Sequence, residues 1–368
     1  MNKRYSRLIG VSSAAVAAGL AVASGPAGAL DVYLAAKPFT KTLPDGSTVP
    51  MWGYVEDTGG TCYNATSDGD RLNCIGGLPA ATAPGPRITV PPGQDLTIHL
   101  SNGLPDPTSV ILAGQKMPTS TGGWPVWDDG TTGSRGGDLT KRVRSFGAEA
   151  AANGGREDYS WSLDRTGSFV YHSGTWPQEQ VYMGLYGAMT RDYAADEVFD
   201  GVTYDNEVVL FYSDIDPELN ARVAAGTNTT SIEYHARWFL VNGEPYVPDS
   251  TSDLSAGAPG DNTLLRFFSA AGENHVAVLQ GGYMTLHAED GLRYEWQDGA
   301  NFGGYAPRIQ YSTMIPPLQA RDATVTLTDG RYALYDGDGN MTNPTSPDDY
   351  TTGDDVGGWL RFLTVSAP

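Results

Sequence analysis

Histidine, cysteine and positive charge are all scarce in this sequence. Its 368 residues hold five His, two Cys and 23 Lys plus Arg, against 43 Asp plus Glu. A net charge of −20 and a pI near 4.4 exclude a nucleic-acid binder, because phosphate neutralisation takes clustered cations. Past the first thirty residues no apolar run is long enough to span a bilayer. There is no G-x-S-x-G elbow, phosphate-binding glycine loop or H-E-x-x-H motif, so a hydrolase has no positive support. What is abundant is core material and punctuation. Hydrophobic residues make up 40%, with 20 Tyr and 8 Trp, which excludes whole-chain disorder. The 46 Gly and 24 Pro favour turns over long helices.

The N-terminus reads as an address. Lys3, Arg4 and Arg7 precede a small-residue apolar run from Leu8 to Ala23, and Ala27-Gly28-Ala29 offers a cleavage site. Residues 1–29 are therefore expected to be a signal peptide, and the product exported, periplasmic or extracellular. In an oxidising compartment Cys62 and Cys74, bracketing a Gly/Asn/Asp-rich stretch, are expected to form a local disulfide; thiolate metal ligation lacks a histidine within that loop.

Beyond the leader, strand signals recur with turns between them. Asp95-Leu-Thr-Ile-His-Leu alternates polar and apolar as a half-buried strand does, and Gly167-Ser-Phe-Val-Tyr-His, Glu207-Val-Val-Leu-Phe-Tyr and Thr263-Leu-Leu-Arg-Phe-Phe follow. One short helix is expected, Pro217 to Ala225, and Tyr193 to Asp205 reads as an acidic connection between domains. Strands without alternating helices imply antiparallel sandwiches, one over residues 30–200 and one over 201–368.

Several blocks, in order, carry a family resemblance. PRITVPPGQDLTIHLSNGLPDPTSV and GSFVYHSGTWPQEQVYMGLYGAM in the first half, with ARWFLVNGEPY and LLRFFSAAGENHVAVLQGGYMTLHAEDG in the second, resemble the cupredoxin domains of multicopper oxidases. TSVILAGQ, WPVWDDGTTGSR, KRVRSFGAEA, ALYDGDGNMTN and GGWLRFLTV are most similar to the copperless leading domains of large bacterial members. The resemblance implies an all-β protein of two tandem cupredoxin-like Greek-key β-sandwiches. It also implies a copper enzyme's ligand set, with a type 1 site of two His and one Cys and a trinuclear cluster held by paired His-x-His motifs. That set is missing. Where the family has its first pair stand Ile111, Leu112 and Ala113; in the second, His172 remains but Gly174 replaces its partner.

Two histidines stay as candidate metal ligands, His172 and His275, each with a bland alternative as a packed strand-end residue. His99, His235 and His287 read as packing or surface residues. Met183, Met189, Met284 and Met314 offer thioethers for Cu(I), which raises a copper-carrier reading against one of core filling. Asp336-Gly-Asp-Gly-Asn340 begins like a calcium loop, but the acidic twelfth position is Pro347, and a hairpin turn explains it equally. The sequence thus points to an exported accessory or assembly subunit of a copper or redox system, with no cofactor expected in the isolated chain. Its partner would be a protein: a copper-bearing subunit, a redox protein or further copies of itself. The alternatives are a copper-dependent oxidoreductase with a reduced or intersubunit site, and a periplasmic copper carrier.

Overall fold

A computed structural model describes residues 28–134, 140–227, 230–247, 252–298, 301–341 and 358–367. The expected leader, apart from its last two residues, lies outside them. The first half builds two sheets. One runs, in spatial order, Thr48–Glu56, Leu30–Thr42, Leu96–Asn102, Arg156–Trp161 and Thr119–Ser120; the other runs Ile88–Val90, Tyr186–Arg191, Gly167–His172 and Ile111–Leu112. Strand Leu96–Asn102 shows why it lies flat on a core: Leu96, Ile98 and Leu100 are buried while Thr97 and His99 face outward.

The second half repeats the plan. In both halves the first strand pairs in parallel with a later one, Leu30 to Ala36 with Leu96 to Asn102 and Asn206 to Tyr212 with Thr263 to Ser269. Such pairings between sequence-distant strands close each half into a Greek-key sandwich of cupredoxin type. Each half has its own core, around Ile98, Tyr159 and Phe169 in one and Leu265, Phe267 and Trp359 in the other. A third apolar cluster joins them, in which Tyr186 of the first half stacks on Phe211 of the second at 5.2 Å, and Phe211 on Phe268 at 5.6 Å.

A polar seam lies beside that cluster. Arg266, 1% exposed, bonds Glu207 and Asp192 at 2.5 Å each and lies 3.5 Å from Asp322. Asp322 accepts the N–H and hydroxyl of Ser168 from the first half, and Glu207 binds Arg87 in a fork. Burial opposes the Arg266 charge, but Asp322, Asp192 and Glu207 outweigh it and raise its pKa.

Among the described residues three α-helices form rather than one, besides a short 3-10 turn at Thr58–Gly60. Pro217–Ala224 matches the expected segment, started by Pro217 and by Asp216, whose carboxylate accepts the N–H groups of Glu218 and Leu219. Asp68–Gly77 corrects the reading of the cysteine stretch as plain loop: Ser67 caps it, Asp68 and Asp70 sit favourably in its first turn, and Lys37 binds the carbonyls of Ile75 and Leu78 at its end. Pro177–Met183 ends on Gly184 at φ +118°, where a Cβ would lie 2.2 Å from the Trp52 carbonyl oxygen, so only glycine serves. Tyr193 to Asp205 is also more than a connection. It carries the hairpin Glu197–Phe199 and Val202–Thr203, whose Val198, Phe199 and Val202 pack with Leu264 and Ala288. Cys62 and Cys74 are joined, Cα to Cα 5.2 Å, and stitch the Asp68–Gly77 helix to the sandwich through contacts of Cys62 with Ala35 and Val55. No helix among the described residues is long and apolar enough to cross a membrane.

Candidate functional site

His172 ends the strand Gly167–His172, whose six residues are all buried, and stands opposite Ile111 on one side and Tyr186 on the other. Its Nδ1 donates to the Ser173 carbonyl at 2.9 Å, and burial pushes the imidazole down to about 4 against that bond. A second histidine has no place beside it. A Cβ at Gly174 would lie 2.9 Å from Cγ2 of Ile111 and 3.2 Å from the Ser109 hydroxyl.

Hydroxyl groups fill the rest of this locus. The Thr175 hydroxyl lies 3.0 Å from both the Ser109 and the Ser145 hydroxyls, with one proton to share between them; Ser145 donates to the Gly147 carbonyl at 2.8 Å. Ser173 and Thr108 both donate to Oε1 of Gln180, at 2.6 and 2.8 Å, and Gln180 in turn donates to the Pro107 carbonyl. All are buried, and the network satisfies itself internally.

His275 lies in the other sandwich, in a different core from His172, so the two candidate ligands are not brought together. It starts the strand His275–Leu279, and the register Ala277 to Asp336 places it beside the turn that follows strand Gly330–Asp336. Its Nδ1 is 3.3 Å from Asp336, its ring meets Trp359 edge-on at 3.5 Å between centroids, and its Nε2 is buried with no hydrogen-bond partner. One donor atom each from His275, Asp336 and Asp338 lie within 4.8 Å of one another. Among the described residues this is where three ligand-type side chains converge. The sequence offered His275 and the Asp336 run as separate features; nothing in it joined residues 61 apart, because strand register does that. Pro347 lies outside the described residues.

The other histidines are engaged locally. His99 binds Asp158 at 2.6 Å and Asp31 at 3.2 Å and stacks on Tyr33; His287 bonds Thr324 and Tyr305, and burial, helped by Arg293, pushes it down to about 4. His235 is exposed. Met183, Met189 and Met284 are fully buried in the two sandwich cores, which accounts for them as packing, while Met314 is exposed.

Residues 80–192, the stretch that contains His172 and the hydroxyl network, match the family model for multicopper oxidases. Over that stretch the chain is similar to multicopper oxidases, and its all-β fold is cupredoxin-like. This multicopper-oxidase-like chain is 22% identical over 334 residues to the copper resistance protein A homolog of Pseudomonas syringae pv. tomato, with 78% of this chain and 51% of that protein covered. It is 28% identical over 195 residues to copper resistance protein A of Escherichia coli, covering 52% of this chain and 27% of that one. It therefore spans about half the length, or less, of these curated relatives. In fold it is similar to the blue copper oxidase from Nitrosomonas europaea, at TM-score 0.61 and 16% identity over 91% of this chain and 85% of that one. The multicopper oxidase from Pseudomonas thermotolerans gives TM-score 0.62 at 18% identity, over 93% and 64%.

The copper centres that the family implies do not fit the residues of the first sandwich. One imidazole, tied to a carbonyl, faces an isoleucine and serine and threonine hydroxyls, which are poor copper donors beside imidazole and thiolate. Both cysteines are committed to the disulfide.

Proposed function

We propose that this multicopper-oxidase-like chain is an exported accessory subunit of a copper system, working by binding and assembly rather than by its own dioxygen chemistry. One observation carries the reading: an intact cupredoxin frame surrounds a locus filled by Ile111 and a self-satisfied hydroxyl network. Maintaining the frame without its ligands is what a docking role asks of it. The exposed side chains of Ile309 and Met314, on strands Arg308–Gln310 and Ser312–Ile315, and of Tyr283 and Tyr311, whose rings meet edge-on at 6.3 Å beside them, supply contact area for a copper-bearing protein. The leader's Lys3, Arg4 and Arg7 followed by its apolar run supports export. The test is to load the purified chain with Cu(II) and assay oxidation of a phenol. No turnover and no intense blue absorption are expected; turnover with about four bound coppers, the complement of a type 1 plus trinuclear site, overturns the reading.

A second reading has one observation in its favour. The blue copper oxidase chain is 85% spanned by this one, so proteins of nearly this extent bear an oxidase name. An oxidoreductase with an intersubunit copper site would then show turnover only as an oligomer, which the same assay on size-separated fractions detects.

A further inference from the structure

We propose that His275, Asp336 and Asp338 form a binding site for one borderline divalent metal ion, Cu2+ or Zn2+, in the second sandwich. The site is independent of the filled locus around His172 and of the accessory reading.

The geometry comes from two strand ends and a turn. His275 opens one strand, Asp336 closes its antiparallel neighbour, and Asp338 follows between Gly337 and Gly339. Donors held about 2.0–2.2 Å from a tetrahedral ion stand roughly 3.4 Å apart. The three donor atoms here lie within 4.8 Å, and Asp338, exposed on its two-glycine turn, is free to close the difference. A turn capped by Asp336 is the competing explanation, and it does account for Asp336, which accepts from Val276 N–H at 3.0 Å and from the Asn340 amide at 2.8 Å. It does not account for an imidazole 2% exposed set beside that carboxylate with Nδ1 3.3 Å away, whose Nε2 is one of seven buried side-chain polar atoms without a partner among the described residues. Nor does it account for a second carboxylate converging on the same point.

The donor set fixes the class of ion. One imidazole nitrogen and two carboxylates suit borderline first-row ions; Cu(I) would want sulfur, and Ca2+ an all-oxygen shell of six or more. Asn340 and the Trp359 ring then orient the two buried ligands, as outer partners do in metal sites.

The experiment uses the full chain, stripped with chelator and dialysed against Cu2+ alone, Zn2+ alone or Ca2+ alone. Elemental analysis should find one tightly held Cu2+ or Zn2+ per chain, and either ion should raise the thermal midpoint, since an ion that binds only the folded state stabilises it. Asp338→Asn, a change at an exposed turn, should weaken binding at least tenfold. His275→Gln should remove single-nitrogen coupling from the Cu2+ electron paramagnetic resonance spectrum. His172→Asn should change neither. No saturable ion, tighter Ca2+ than Zn2+ binding, binding indifferent to Asp338→Asn, or binding lost in His172→Asn overturns the site. Phenol oxidation reads the accessory reading separately, so failure of one leaves the other distinguishable.

Discussion

His172 illustrates how a single side chain changes meaning with its surroundings. In an oxidase frame the position calls for a metal ligand; here Ile111, Ser109 and Gly174 leave it as a buried neutral base. The unfolded chain protonates this imidazole near 6.5, the folded chain only near 4. Its contribution is therefore complete above pH 6.5 and is lost as pH falls from 6.5 through 4. At pH 4.5 the loss amounts to about 2–3 kcal/mol. His172→Asn should flatten that part of the profile by this amount, read from urea unfolding at pH 7 and pH 4.5. His287 falls in the same window and Asp214, pushed up to about 6 by burial, acts in the opposite sense, but both are common to the variant and the parent. Gly174 belongs to the same scale. Gly174→Ala should cost about 1–3 kcal/mol by overpacking against the Ile111 methyl, and Ile111→Ala in the same chain should recover most of it. A thermal double-mutant cycle showing simple additivity would mean that the close approach does not govern this locus.

Elements were legible where the pattern is local. Strand alternation in Leu96–Asn102 and the proline-started helix Pro217–Ala224 both follow from residues a few places apart. The Asp68–Gly77 helix had a signal as well, Ser67 three residues before Asp70, but the glycines and aspartates around it read as loop. It holds because tertiary contacts complete it: Lys37 caps its carbonyl end and the disulfide ties Cys74 to a buried Cys62. Closing a loop of this size restricts the unfolded chain by about 3 kcal/mol. Replacing both cysteines by alanine should lower the unfolding free energy by about that much in denaturant titration, with the fold otherwise retained.

Across the whole molecule, the two sandwiches are joined by an aromatic stack and by the Arg266 seam. Arg266 is the charge that lets Asp192, Glu207 and the fully buried Asp322 share one interface. Arg266→Met should cost about 3–5 kcal/mol, because it leaves Asp192 and the buried Asp322 without their cation, while Glu207 keeps Arg87. Differential scanning calorimetry is the check. A drop below 1 kcal/mol would show the seam to be solvent-relaxed and the apolar cluster to hold the halves alone.

The sequence by itself determined the all-β class, because periodicity and turn residues are properties of neighbours along the chain, and it carried the family resemblance in its ordered blocks. It also determined the disulfide, since two cysteines admit a single intrachain pairing. Only the tertiary structure decided what stands in the place of the missing imidazoles. The Ser109, Ser145, Ser173 and Thr175 hydroxyls meet from separate segments, and no local pattern announces a network built that way. The same holds for His275 with Asp336 and Asp338 and for Arg266 with Asp192 and Asp322. Those groups are far apart in sequence, and it is strand register and the packing of one sheet on another that sets them side by side.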